Sequence, residues 1–187
     1  MCSSDLDQKG GTFLSSYART LTNGGLRFHT DRTDVVGLLC VRQAMKGGVS
    51  TIASTPAIHN AILARRPDLL DALFTDYWRS RFGEEGTGKD GSSTTRATAY
   101  PLPIFGVVDG KFTSHYSLTF IEAAQLADDI PKLSAAQKEA IDVLMATAQE
   151  LCFEMTLEPG DLQLINSHVT YHGRTPFEDD ADSGHDR

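Results

Sequence analysis

The stretch Leu26-Arg27-Phe28-His29-Thr30-Asp31 (LRFHTD) carries the H-x-D pair His29 and Asp31. In an extended strand residues i and i+2 point to the same side, so an imidazole and a carboxylate stand together on one face. A metal held by these two needs at least a third ligand, best supplied by a histidine on a distant strand that the fold brings round. Two imidazoles and one carboxylate on one face of an octahedron leave three open positions. That suits non-haem Fe(II), which must take both a cosubstrate and O2. An H-x-D pair alone recurs by chance and is a weak signal.

Around this stretch the chain divides by pattern. The first 22 residues show neither a 2.0 nor a 3.6 period and are expected to be an extension ahead of a single domain over residues 23–187. Val35 to Val41 (VVGLLCV) is short, β-branched and flanked by Asp34 and Arg42, which predicts a buried strand. Ala57 to Phe74 carries helically spaced apolar residues interrupted by Pro67, which predicts two short helices. Glu84 to Thr98 is Gly, Ser and Thr with almost nothing apolar, and is expected to be a mobile surface loop over or beside the mouth of the fold. Asp109-Gly110 between two extended apolar segments predicts a hairpin. Ser134 with Gln137 forms a capping box ahead of Ile141, Leu144, Met145 and Ala148, which predicts a helix. FEMTL, the turn Glu158-Pro159-Gly160-Asp161 and LQLIN predict a second strand pair leading into Val169 to Arg174. Strands at both ends around inserted helices fit either an α/β sandwich or an antiparallel barrel with a helical insert. Strict βαβ alternation is absent, and the chemistry that begins at LRFHTD decides for the barrel.

Composition narrows the function classes. The 187 residues carry a formal net charge of −8 and no basic run, which disfavours nucleic acid as a partner. A hydrophobic fraction of 40% with nine Phe and five Tyr supports a packed core. The longest apolar stretch, Val35 to Val41, is interrupted by Gly37 and is far too short to span a membrane, so no membrane partner is expected. Asp5 and Asp7 stand where a secretory peptide needs basic and apolar regions, so a cytoplasmic location is expected. Cys2, Cys40 and Cys152 form no metal or disulfide pattern, and Cys40 and Cys152 read as small core residues. H-E-x-x-H, G-x-S-x-G, Walker and G-x-G-x-x-G motifs are absent, which lowers the weight of zincins, serine hydrolases and nucleotide-binding folds.

Three strings in order, FHTDRTD (residues 28–34), GGVSTIAS (residues 47–54) and YHGR (residues 171–174), make the chain resemble the TauD/TfdA (taurine dioxygenase) family of Fe(II)/2-oxoglutarate-dependent dioxygenases. Within that superfamily it is similar to the clavaminate synthase-like members. The resemblance runs from Leu26 to Arg187 and takes in LARRPDLLDALFTDYWRSR and PIFGVVDGKFTSHYS. It implies that His29, Asp31 and His172 are the iron ligands. Ser50 matches the hydroxyl that bonds the distal carboxylate of 2-oxoglutarate. The implied fold is mainly β with inserted helices: a double-stranded β-helix, a jelly-roll, cupin-like barrel whose mouth holds the metal. The implied cofactors are Fe(II), 2-oxoglutarate as cosubstrate, and O2. The implied reaction decarboxylates 2-oxoglutarate to succinate and CO2 and hydroxylates a small-molecule substrate.

Three departures qualify the match. The family places an R-x-x-x-R pattern on its last barrel strand to pair with the distal carboxylate. Arg187, where the chain stops, is matched to the first Arg, so the last strand is expected to be missing and 2-oxoglutarate to be held weakly by Ser50 and Arg187. Gly25 replaces an Asn of the taurine enzyme, so taurine is unsupported, and Leu118 replaces an Arg after the Tyr-Ser of relatives.

Other residues admit two readings. Arg174 shares the face of His172 if the strand continues, so it either contacts substrate or pairs with Glu178 or Asp179. His115 and Tyr116 either line the pocket or pack at an edge strand. His168 lies four residues from His172, about 13 Å along a strand, and reads as a hydrogen-bonded, partly buried side chain rather than a ligand. His59 and His185 read as ordinary, and Trp78 with Tyr77 as core. A homo-oligomer is compatible with the sequence. Two other functions stay open: a cupin-like metal-dependent isomerase or hydrolase, and an inactive truncated domain.

Overall fold

Strand β1 (Leu26–His29) lies antiparallel to β11 (Thr170–Arg174), which pairs with β4 (Ser50–Ser54), which pairs in turn with β9 (Phe153–Met155). The computed structural model describes residues 22–80 and 99–179. Residues 1–21 of the expected extension, the Glu84 to Thr98 loop, His185 and Arg187 lie outside the described residues.

Register decides which side chains share a face, because residues directly opposite in an antiparallel pair point to the same side. His29 stands opposite His172, and a bulge or irregularity separates this pair from Leu26 opposite Arg174. His172 stands opposite Ile52, and Arg174 opposite Ser50. One face therefore carries His29, His172, Arg174 and Ser50. The other carries Tyr171 and Ala53, both buried in the core.

Helices cover that second face. Helix α1 (Thr55–Arg65) starts where Ser54 Oγ accepts the Ala57 N–H at 3.4 Å, with Pro56 in the first turn where its missing N–H goes unneeded. It ends before Pro67, which opens α2 (Pro67–Leu73), so the two expected helices are present. Helix α4 (Ala135–Leu151) carries the expected capping box of Ser134 and Gln137. Ile58 and Ile62 of α1, Leu69 and Leu73 of α2, and Ile141 and Leu144 of α4 join Tyr171 and Ala53 in one hydrophobic cluster. Each large apolar side chain buried there contributes about 1.5–3 kcal/mol.

Between them, β5 (Asp76–Arg79) pairs with β6 (Tyr100–Pro103), and β7 (Phe105–Val108) pairs with β8 (Lys111–Ser114). The second pair is the expected hairpin: Asp109 and Gly110 have φ of 51° and 74°, and positive φ at both central residues matches the twist of the strands. Helix α3 (Leu118–Gln125) follows. Among the described residues no helix is long and apolar enough to cross a membrane.

Two expectations are corrected. The strand at VVGLLCV exists as β2 (Val35–Leu39) but is not buried: Val35 is 57%, Leu39 62% and Val41 72% exposed. Among the described residues it pairs only with β10 (Leu162–Asn166), in a two-stranded sheet. FEMTL and LQLIN are likewise strands joined by a turn, with the Asp161 N–H on the Glu158 carbonyl at 2.9 Å, but they do not pair with each other. β9 hydrogen-bonds to β4 while β10 goes to β2, and Gln163 reaches back across the gap to Met155 Sδ at 2.8 Å. The last pair joins β3 (Lys46–Gly47) to β12 (Phe177–Glu178). Cys40 and Cys152 are free and half-buried, and Cys152 packs against the core cluster.

Gly173, between His172 and Arg174, is where the sheet has least room: a Cβ there would lie 2.7 Å from the Leu26 carbonyl oxygen and 3.0 Å from Thr51 Oγ1. Backbone on the neighbouring strand cannot rotate away as a side chain can. Gly173→Ala is therefore expected to lower unfolding free energy by about 1–3 kcal/mol, read by urea denaturation. An unchanged midpoint would show that β1 shifts freely on β11.

Candidate metal centre

His29 is the last residue of β1, and the chain around it is clamped on two sides. On one side it pairs with His172 of β11; on the other it forms a bridge to Ser117. The buried Thr30 locks that second side, donating its N–H to the Tyr116 carbonyl at 2.7 Å and accepting the Tyr116 N–H on Oγ1 at 3.0 Å. Arg27, two residues before His29, is tied to Glu122 by bonds of 3.0 and 2.6 Å and to Thr119 Oγ1 at 3.2 Å. Its carbonyl receives His29 Nδ1 at 2.9 Å. The imidazole nitrogen must donate to a carbonyl, so Nδ1 carries the proton and Nε2 is left with a free lone pair.

That lone pair meets two others. Asp31 Oδ1 lies 3.8 Å from His29 Nε2, and Asp31 Oδ2 lies 3.4 Å from His172 Nε2. The imidazoles sit 4.3 Å apart between centroids at 46°. One ligand atom from each of the three residues lies within 4.8 Å of the others. Bonds of about 2.0–2.2 Å to a common ion set neighbouring donor atoms about 3 Å apart, so a small inward movement seats a metal.

Electrostatics favour the ligating form. His172 is only 8% exposed. Burial, and after it the neighbouring His29, push its imidazole down to about 4, against the opposing pull of Asp31. Neutral His172 keeps one ring proton; its buried Nδ1 has no hydrogen-bond partner, and with the proton there Nε2 turns a lone pair towards Asp31 and His29. A cation resolves that convergence, and the donor set of two imidazoles and one carboxylate fits Fe(II). Among the described residues no other group of three or more His, Cys, Asp or Glu side chains gathers in this way.

The other expected site residues are placed as follows. Ser50 is buried on the face of His172, with its Oγ donating to Gln163 Oε1 at 3.1 Å. Arg174 donates to the Thr22 and Gly24 carbonyls, both at 2.9 Å, and lies 4.5 Å over the Phe177 ring. Tyr116 is fully buried, its ring 5.4 Å from that of Tyr171, and its hydroxyl has no hydrogen-bond partner. His168 is exposed rather than partly buried, because its Nε2 reaches outward to Asp34 Oδ1 at 2.8 Å. His59 packs among the rings of Phe74, Phe105 and Phe112. Arg187 lies outside the described residues. Three positioning groups carried no sequence signal strong enough to single them out: the Arg27–Glu122 pair, the Thr30 clamp and the buried Arg79.

The family profile described as taurine catabolism dioxygenase TauD, TfdA family matches residues 6–187. FR-33289 synthase of Streptomyces rubellomurinus is 34% identical over 170 residues, covering 88% of this chain and 47% of its own. The taurine hydroxylase-like protein SAT17 of Stachybotrys chartarum is 28% identical over 156 residues, covering 81% and 37%. The chain thus spans about half, or less, of the curated relatives it matches. Asparagine oxygenase in complex with Fe(II), 2S,3S-3-hydroxyasparagine and succinate shares the fold at a TM-score of 0.64 and 20% identity, over 87% of this chain and 47% of that one. Non-heme iron oxygenase OrfP in complex with Fe does so at 0.59 and 18%, over 88% and 49%.

His172→Ala removes one of three candidate ligands, whereas His168→Ala removes surface contacts to Asp34 and Thr113. Titration with Fe(II) or Co(II) should show metal affinity falling more than about 100-fold in the first and by less than about threefold in the second. The reverse order would overturn the ligand assignment.

Proposed function

This chain belongs to the taurine catabolism dioxygenase TauD, TfdA family, and from that membership we propose that it is an Fe(II)/2-oxoglutarate-dependent dioxygenase that hydroxylates a small molecule. The observation that carries the reading is the meeting of His29 Nε2, the Asp31 carboxylate and His172 Nε2, with one ligand atom of each within 4.8 Å of the others. Fe(II) held by His29, Asp31 and His172 would supply the redox chemistry that couples decarboxylation of 2-oxoglutarate to succinate and CO2 with O2-dependent hydroxylation.

The chain's own residues do the positioning. The Arg27 carbonyl holds His29 in the tautomer that ligates, and the Glu122 salt bridge holds Arg27. Asp31 contributes the one negative charge among the ligands. Burial keeps His172 neutral and water away from its ring. Ser50, on the same face as His172, is assigned with Arg187 to the distal carboxylate of 2-oxoglutarate, the Ser50 hydroxyl exchanging Gln163 for the cosubstrate. Tyr116 and Arg174 are assigned to substrate at second hand, through the Thr30 clamp and the end of β11.

The fold belongs to the same proposal. The sheet β1-β11-β4-β9 is read as one wall of a double-stranded β-helix within a single domain over residues 23–187. Support comes from β9 and β10, which follow one another in the chain yet pair in different sheets, as strands do when they wind between two walls. The asparagine oxygenase complex contains a hydroxylated asparagine, and a further OrfP complex, with Fe, succinate and (3S)-hydroxy-L-Arg, a hydroxylated arginine, which supports a small polar substrate here. A cytoplasmic setting fits as well, since a reducing compartment keeps Fe(II) and free thiols reduced.

Incubation with Fe(II), 2-oxoglutarate and O2 should release succinate, and Asp31→Ala should lower its rate by more than about 100-fold, because two imidazoles alone hold the ion poorly. Metal-dependent turnover without succinate would instead assign the centre to an isomerase or hydrolase.

A further inference from the structure

Arg79 is the last residue of β5 and the largest fully buried side chain among the described residues, 2% exposed. It carries its charge inside: burial lowers its pKa to about 10, so the guanidinium is still protonated near neutral pH. Among the described residues no carboxylate pairs with it. A buried cation without a counter-charge is costly, and an apolar side chain at this position would escape that cost. The guanidinium itself must therefore meet a need.

That need lies in backbone carbonyls. Arg79 Nη2 donates to the carbonyls of Leu102, Pro103 and His115 at 3.3, 3.1 and 2.6 Å. Leu102 and Pro103 belong to β6, which pairs with β5, whereas His115 directly follows β8. One nitrogen thus ties β5 and β6 to a stretch that is not their ladder partner. The neighbouring Ile104 carbonyl is satisfied without it, by the His115 N–H at 2.8 Å and the Ser114 hydroxyl at 3.0 Å. Bonds from an ionised donor are roughly twice as strong as neutral ones, which suits a crossing that the backbone closes only in part.

His115 is also the first link of a route to the metal centre. Tyr116, next in the chain, accepts the Thr30 N–H on its carbonyl at 2.7 Å and donates its own N–H to Thr30 Oγ1 at 3.0 Å. Ser117 bridges to His29. Thr30 stands between His29 and Asp31, so two of the three candidate ligands depend on where residues 115–117 lie. The shortest of the three Arg79 bonds falls on that stretch.

We propose that Arg79 is a positioning residue of the metal centre: by holding the His115 carbonyl it fixes residues 115–117 against the end of β1, and so sets how His29 and Asp31 face His172. The proposal rests on the assignment of these three residues as metal ligands. It extends the site to a residue on β5 that hydrogen-bonds to none of them.

Titration with Co(II), followed by its visible absorption bands, tests this, because the bands report the geometry of the ligands as well as their occupancy. Arg79→Gln should lower Co(II) affinity about tenfold and shift the bands. Arg79→Lys, whose ammonium still offers three donors, should recover part of the affinity. Leu144→Ala, in the core beneath α4, is the control for lost stability: it should melt below the parent yet bind Co(II) within about twofold, with unchanged bands. Parent-like affinity and bands in Arg79→Gln would overturn the proposal, and so would an equal loss of affinity in Leu144→Ala. Should Arg79→Gln fail to fold, Arg79→Lys decides: its bands should shift, and Thr30→Val added to it should lower affinity less than Thr30→Val does alone, because both act on one route. Unshifted bands or fully additive losses would overturn it. No Co(II) binding by the parent would instead sink the ligand assignment, and absence of succinate from a parent whose Co(II) binding depends on Arg79 would count against the oxygenase reading alone.

Discussion

The antiparallel pairing of β1 with β11, in the register that sets His29 opposite His172, is the constraint on which the rest of this structure depends. Opposed residues in such a pair stand about 4.5–5.5 Å apart at Cα, so two imidazoles from opposite ends of the chain are brought into contact by backbone hydrogen bonds alone. Asp31 then needs no separate scaffold, since it follows His29 by two residues. A slip of one residue would turn His172 to the helix-covered face and leave Tyr171 beside His29 and Asp31. Gly173 permits this register, because only a residue without Cβ clears the Leu26 carbonyl.

Around this pairing the protein separates a dry side from a polar one. The helices bury Tyr171 and Ala53 on one face with the main hydrophobic cluster, which makes the sheet a rigid platform. The other face keeps its polar side chains for chemistry, and each ordered group there has a backbone or charged anchor: His29 on the Arg27 carbonyl, Arg27 on Glu122, Thr30 on Tyr116. Such anchors fix ring orientation and tautomer, both of which metal binding requires.

Charge is arranged with the same economy. Acceptor atoms of His29, Asp31 and His172 converge where a cation fits, while the buried Arg79 guanidinium is held by carbonyls and, among the described residues, by no carboxylate.

Much of this was legible in LRFHTD and YHGR, since i, i+2 spacing on a strand is a local property and the order of motifs is specific. The capping box at Ser134, the break at Pro67 and the Asp109-Gly110 turn were legible for the same reason: each depends on backbone chemistry within a few residues. Burial and pairing were not. VVGLLCV reads as a buried strand, yet it is exposed because burial depends on what packs against it, and FEMTL and LQLIN are neighbours in sequence that pair with distant strands. Arg79 lies in the interior, its guanidinium held by three carbonyls from other segments. Local spacing thus determined the candidate ligands and the turns, because dihedral preferences and side-chain direction act over a few residues. Only the tertiary structure decided which strands meet, which apolar faces are covered and where unmatched charges gather, because those depend on contacts between residues far apart in the chain.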